Sequence, residues 1–145
     1  MQNAMKNVLN YLVNDVFISV CKDMVSAFSS RDLMLVFACN TETSIRIMTS
    51  MCPECSATED GVRLIAAMMQ KCQADAVVTV MSGYEDDGHD CCLSITIETL
   101  LEVKRMAWPY DIDNCSIVWH DRVDRPNPEP CFALLLPAPA GMAQA

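Results

Sequence analysis

The amino-acid sequence predicts a single α+β domain, in which a mainly antiparallel sheet of about five to six strands is covered by two helices. Two segments have the apolar spacing of helices, several short segments have the character of strands, and short links join them. With 145 residues, 52% of them hydrophobic, the chain can bury one core. We expect one domain over residues 1–137 and a flexible C-terminal tail over residues 138–145.

The first helix is expected from Met5 to Phe28. Its apolar residues recur at intervals of three and four, while polar residues such as Asn10 and Asn14 occupy the opposite side. A polar run at residues 29–32 ends the pattern. The apolar stripe is long, so pairing of two copies of this helix in a homodimer is a further expectation.

A β-hairpin is expected next, formed by Leu33–Ala38 and Ser44–Met48. Both segments have strand character, and the residues between them are Asn and Thr, which favour turns. A short helix that starts at Thr43 is the competing interpretation.

The second helix is expected to begin after Ser56 and to end near Lys71. Ser56 and Glu59 have the spacing of a capping box, in which two side chains satisfy backbone N–H groups of the first turn. Thr58 is an alternative N-cap. Apolar residues at helical spacing follow.

The remaining strands are expected in the second half of the chain. Loops and prolines separate them, and a proline interrupts the hydrogen bonding of a central strand. The expected strands are Ala76–Met81, Cys91–Glu98, Val103–Trp108, Ser116–Trp119 and Cys131–Leu136. We expect the two helices to lie on one face of the sheet that these strands form.

The charge distribution disfavours some classes of partner. The formal net charge is −9, and residues 76–100 hold five acidic residues and no lysine or arginine. Phosphate backbones are bound through clustered lysine and arginine, so direct nucleic-acid binding is disfavoured. Neither a secretion signal nor an apolar run of about 18 residues is visible, and the sequence therefore predicts a cytoplasmic protein without a membrane span.

Nine cysteines, an odd number in a chain rich in apolar residues, predict free thiols in a reducing compartment. Cys52 and Cys55 form a Cys-x-x-Cys pair, whose thiolates can bind one zinc ion as a structural site. His89 and Cys92 are the candidate further ligands. Redox chemistry of the pair is an alternative, although several residues separate the pair from the expected helix. Ordinary loop thiols that need no cofactor are the simplest interpretation.

The segment 83–90 is an acidic loop that contains Glu85, Asp86, Asp87 and Asp90. These carboxylates indicate a surface for a basic protein partner or for a cation. An exposed hairpin tip also prefers acidic residues and glycine, so a solvated loop without a ligand is the competing interpretation.

Aromatic residues of the second half indicate a possible ligand cleft. Trp108 and Trp119, with His120 and Arg122, could stack and bind a flat ligand. Aromatic residues in strands more often serve packing. The chain has no Gly-x-Ser-x-Gly, His-Glu-x-x-His or phosphate-binding motif, so the sequence does not indicate an enzyme.

One stretch resembles a group of small uncharacterised bacterial and phage proteins. It consists of a capped helix that ends in Ala74 and Asp75, the strand Ala76–Val80, a polar loop, and the strand Leu93–Glu98. The resemblance covers about half of the chain. It implies an α+β fold in a bacterial or phage cytoplasm and assigns no functional residue.

The favoured functional interpretation is an accessory or regulatory protein that binds a protein partner through the acidic loop. A small-ligand binder or weak enzyme with a cleft near Trp108, Trp119 and His120 is the first alternative. A structural zinc protein that uses Cys52 and Cys55 is the second.

Overall fold

The computed structural model describes residues 3–28, 33–84 and 88–137, and these form an α+β fold built on one antiparallel sheet. The predicted tail 138–145 lies outside the described residues. The helices are α1 (Ala4–Tyr11), α2 (Asp15–Phe28), α3 (Pro53–Ser56) and α4 (Glu59–Cys72). The strands are β1 (Met34–Asn40), β2 (Ile45–Ser50), β3 (Ala76–Tyr84), β4 (Cys91–Glu98), β5 (Val103–Asp113), β6 (Ser116–Trp119) and β7 (Val123–Arg125). In this part of the chain, no helix is both long and apolar enough to span a membrane.

The sheet has the strand order β2-β1-β3-β4-β5-β6, and β7 pairs with β5 beside β6. The strand β5 is 11 residues long. It pairs with β4 along one edge, and with β7 and then β6 along the other. The α+β prediction is therefore confirmed, with seven strands where the sequence predicts about five to six.

The expected single N-terminal helix is wrong, because the chain breaks at residues 12–14 into α1 and α2. The side chain of Asn14 accepts a hydrogen bond from the backbone N–H of Phe17 at 3.0 Å, and so caps α2. Asn3 caps α1 in the same way through Lys6. An Asn on the polar side of a helix also suits an N-cap, and here the local hydrogen bond of Asn14 begins a new helix.

The helices cover both faces of the sheet, and the expectation of one covered face is wrong. The helices α1 and α2 pack on the face that carries Leu35, Val78 and Ile95. The helix α4 packs on the opposite face, against Val36 and Val77. Successive residues of a strand point to opposite faces, so the continuous apolar runs of β1 and β3 need cover on both sides.

The hairpin prediction is confirmed, because β1 and β2 pair in antiparallel fashion. The paired residues run from Leu35 opposite Ser50 to Asn40 opposite Ile45. The side chain of Asn40 accepts hydrogen bonds from backbone N–H groups in the turn, which favours the hairpin over the alternative helix.

At the start of α4, the N-cap is Thr58, the alternative to Ser56. The N–H of Gly61 donates to the Thr58 hydroxyl at 3.0 Å.

The predicted strand Cys131–Leu136 is wrong, because this segment forms a short 3₁₀ turn at Ala133–Leu135. Its backbone is held by the buried carboxylate of Glu98. The N–H groups of Cys131 and Phe132 donate to this carboxylate at 2.7 and 2.9 Å. These donors are therefore satisfied by a side chain rather than by a neighbouring strand.

We predict that Glu98→Ala lowers the free energy of unfolding by about 2–4 kcal/mol, because it leaves the buried N–H of Phe132 and the partly buried N–H of Cys131 without the carboxylate that accepts from them. Urea unfolding followed by circular dichroism measures this loss. The control is Glu102→Ala, which removes an exposed carboxylate from the next loop. Equal stability of both variants would show that Glu98 does not hold the C-terminal segment.

Candidate metal centre

The pairing of three strands brings three polar side chains to one end of the sheet. Tyr110 of β5 lies opposite Cys91 of β4 on one side and opposite Trp119 of β6 on the other. His89 lies two residues before Cys91, Asp111 follows Tyr110, and His120 follows Trp119. The N–H of His120 donates to the carbonyl oxygen of Pro109 at 2.9 Å, so the hydrogen-bonded pairing of β5 and β6 continues to this histidine.

The carboxylate of Asp111 lies between the two imidazole rings. Its Oδ2 is 3.0 Å from Nδ1 of His89 and 2.7 Å from Nε2 of His120. The ring centroids of the two histidines are 4.3 Å apart. The three facing ligand atoms all lie within 4.8 Å of one another. Both histidines of the chain therefore meet at one carboxylate oxygen.

Asp90 holds the position of Asp111. Its backbone N–H donates to Oδ1 of Asp111 at 2.8 Å, and its own carboxylate accepts from the N–H of Ile112 at 2.9 Å. These two bonds join the residue before β4 to β5 on either side of the Asp111 side chain. Both oxygens of Asp111 thus have defined partners, and its orientation is fixed.

Hydrogen bonding lowers the pKa of Asp111 to about 2. The largest cause is the hydrogen bond with His89, followed by the N–H of Asp90 and the bond with His120. All three bonds favour the ionised carboxylate. The side chains of His89, Asp111 and His120 are 30–38% exposed, so the group is open to solvent.

Two imidazole nitrogens and one carboxylate oxygen are a donor set that binds transition metals in proteins. Within residues 3–28, 33–84 and 88–137, this is the one group of three or more His, Cys, Asp or Glu side chains spaced for a metal ion. We call His89, Asp111 and His120 the candidate metal centre.

The four cysteine and histidine residues that the sequence groups as zinc ligands are not brought together. Cys52 and Cys55 follow the edge strand β2, whereas His89 and Cys92 lie at β4, three strands across the sheet. Cys92 is half-buried within β4, opposite Pro109. None of the nine cysteines, all of which lie in the described segments, forms a disulfide bond.

The predicted ligand cleft is divided between the two faces of the sheet. Trp108 and Trp119 lie on the face that α2 covers, and Nζ of Lys22 is 5.8 and 5.2 Å from the centres of their rings. Arg122 lines a shallow space of about 380 Å³ with Trp108 and Lys22. His120 points to the opposite face and belongs to the candidate metal centre. Lys22 thus lies over one face of each tryptophan ring.

Most of the predicted acidic surface lies outside the described residues, namely Glu85, Asp86 and Asp87. Of the four residues, Asp90 is described, and its carboxylate accepts a hydrogen bond from the backbone of β5. The acidic interaction surface therefore stays a prediction.

Asp111 is a candidate ligand that the sequence pattern does not single out. It lies between the predicted strands Val103–Trp108 and Ser116–Trp119, where the sequence predicts a loop, whereas β5 continues through Pro109 to Asp113. The available signal was the alternation of Trp108, Tyr110 and Ile112, which continues the strand and places Asp111 on the other face.

We predict that the ionised Asp111 stabilises the metal-free protein at pH values above about 4 and that this contribution disappears as the pH falls toward 2. The sign follows from a folded-state pKa of about 2 that lies below the ordinary value of 3.8. Urea midpoints of the wild type and Asp111→Asn, measured with a chelator present from pH 5 to pH 2.5, should converge as the pH is lowered. A difference between them that stays constant over this range would contradict the hydrogen-bonded ionised carboxylate.

Comparisons of the chain with protein families, with curated protein sequences and with solved structures found no match.

Proposed function

We propose that this protein binds one divalent transition-metal ion of the zinc class through His89, Asp111 and His120. The observation that carries the proposal is the convergence of both histidines on one carboxylate oxygen, with three potential ligand atoms within 4.8 Å. The ion would be held by Nδ1 of His89, Oδ2 of Asp111 and Nε2 of His120.

The donor types favour zinc or a neighbouring transition metal over magnesium or calcium. Magnesium and calcium prefer oxygen ligands, whereas imidazole nitrogen suits zinc, copper, iron and nickel. Two of the three donors are imidazole nitrogens. The acidic Asp111 adds a ligand that is already deprotonated, and metal binding requires deprotonated ligands.

The distances between the donors fit a metal ion after a small opening of the group. Two tetrahedral zinc ligands, each about 2.0–2.1 Å from the ion, lie about 3.3 Å from each other. The two nitrogen–oxygen distances are 3.0 and 2.7 Å, so each has to increase by a few tenths of an ångström. The side chains are 30–38% exposed, so rotation of the rings would allow this movement.

A metal ion held by three protein ligands at an open surface keeps at least one coordination position whose ligand can exchange. Structural zinc sites have four protein ligands, whereas sites with three leave a position for water or for a donor atom of a partner. The three side chains are 30–38% exposed, so a bound ion would be reachable from solvent. The proposed role is therefore metal-dependent binding or water activation at the surface, rather than stabilisation of the core.

We predict that the wild-type protein binds one equivalent of Zn²⁺ and that Asp111→Asn weakens this binding more than about 100-fold, because a charged ligand is lost. Isothermal titration calorimetry on chelator-treated protein measures the affinity. The matched control is Asp121→Asn, which removes the same charge from the residue beside His120 and should bind like the wild type.

The same titration on a Cys52→Ser/Cys55→Ser double variant separates the two candidate zinc sites. The proposal expects this variant to retain the one equivalent of Zn²⁺. Loss of binding in the cysteine variant together with full binding by Asp111→Asn would overturn the proposal and favour the zinc site predicted at the cysteine pair.

We predict that Asp90→Ala weakens Zn²⁺ binding by about 10–100-fold, as is usual for residues that orient a metal ligand. The reason is loss of the acceptor for Ile112 N–H, which fixes the strand beside Asp111. Asp90→Asn keeps an acceptor oxygen and should restore most of the affinity. Equal weakening by both variants would indicate that Asp90 acts through its charge and does not position Asp111.

A further inference from the structure

Cys52 and Cys55 form a second group of reactive side chains, at the start of α3 beyond the edge strand β2. The backbone N–H groups of Cys55 and Ser56 donate to the carbonyl oxygen of Cys52 at 3.1 and 3.3 Å. The resulting tight turn places the two Sγ atoms 2.7 Å apart. Both cysteines are exposed. The thiols therefore face each other and are accessible to another molecule.

The position of Cys55 is fixed by its packing against α4. A Cβ atom on Gly61 would lie 1.9 Å from the carbonyl oxygen of Cys55, so this close approach requires glycine. The hydroxyl of Thr58 donates to the same carbonyl oxygen at 2.6 Å. A helix of 14 residues thus supports the turn that holds the pair.

The two thiols differ in acidity from each other. The hydrogen bond between them lowers the pKa of Cys52 and raises the pKa of Cys55. When Cys52 is ionised, the thiol of Cys55 donates to it. The thiolate is the reactive form of cysteine, so Cys52 is the group suited to attack first.

Four of the other cysteines, Cys21, Cys39, Cys72 and Cys91, are buried and therefore inaccessible to a disulfide of another molecule. Burial raises the pKa of Cys21 to about 11 and that of Cys39 to about 12. No His, Asp, Glu or further Cys in the described segments lies close enough to the pair to complete a group of three metal ligands. The surroundings of Cys52 and Cys55 therefore favour thiol chemistry over a structural metal site, which needs four protein ligands.

We propose that Cys52 and Cys55 form a redox-active dithiol that reduces disulfide bonds of other molecules by thiol–disulfide exchange. This activity is separate from the candidate metal centre. The facing sulfur atoms, their exposure and the support of the turn by α4 carry the proposal.

The exchange takes place in two balanced steps. The Cys52 thiolate attacks one sulfur of the substrate disulfide, so that a mixed disulfide forms, the substrate S–S bond breaks, and the leaving thiolate takes up a proton from water. Cys55 then loses its proton and attacks the sulfur of Cys52, which closes the Cys52–Cys55 disulfide and releases the second thiol. The substrate gains two electrons and two protons, and the dithiol loses them.

The test is a stopped-flow reaction of the reduced protein with an aromatic disulfide whose thiolate product is coloured. The wild type should release two aryl thiolates per chain in a fast phase, and protein quenched with acid at the end of that phase should be lighter by two hydrogen atoms in the mass spectrum. Cys52→Ser should slow the fast phase by about tenfold or more, because it removes the attacking thiolate. Cys55→Ser should release one aryl thiolate and stop at a mixed disulfide. The control Cys115→Ser, which removes another exposed thiol, should leave the fast phase unchanged.

A turnover assay with dithiothreitol as the reductant then shows which class of disulfide is the substrate, a low-molecular-weight disulfide or a protein disulfide. Faster reduction of oxidised glutathione indicates a low-molecular-weight substrate, and faster reduction of insulin indicates a protein substrate; either result supports the proposal. The proposal is overturned if neither disulfide is reduced faster than without protein, or if Cys52→Ser and Cys55→Ser, folded by circular dichroism, keep the wild-type fast phase.

Discussion

The pairing of β5 with its neighbours is the constraint on which the fold and the candidate metal centre both depend. On one edge β5 pairs with β4, and on the other it pairs with β7 and then with β6. The two-residue turn between β5 and β6 has positive φ angles at Asn114 (50°) and Cys115 (66°), as a tight hairpin requires. A shift of one residue in this pairing would place His120 on the other face of the sheet, away from Asp111.

Side chains alternate between the two faces of the sheet along each strand, and this alternation separates aromatic residues from polar residues at one end of the sheet. On one face, Trp108 and Trp119 pack under α2 with Lys22 above their rings. On the other face, Asp111 and His120 meet His89, and their side chains remain 36–38% exposed. The helix α4 packs against β1 and β2 on that second face, at the other side of the sheet. An aromatic cluster packed under α2 and an open polar group are therefore only one residue apart in the sequence.

The sequence predicts most of the fold, because apolar periodicity reports which residues face a core. It predicts β3, β4 and α4 well, since their patterns are strong and local. It does not distinguish Asn14 as a helix cap from Asn14 on a helix face, because the same residue suits both positions. The segment after Pro130 has the apolar run of a strand, but its backbone donors meet Glu98, which is 33 residues away from Cys131. The candidate metal centre is not predicted either, because it also depends on contacts between residues that are distant in the sequence. His89 and His120 reach Asp111 only through the register of the paired strands. The cysteine pair is local, so the sequence identifies it directly.

X-ray anomalous scattering at the zinc absorption edge, from crystals of the protein grown with Zn²⁺, tests the proposed metal site most directly. The proposal predicts an anomalous peak about 2.0–2.2 Å from Nδ1 of His89, Oδ2 of Asp111 and Nε2 of His120. A zinc ion bound at Cys52 and Cys55 with no peak beside Asp111, or protein crystals without any anomalous peak, would contradict it.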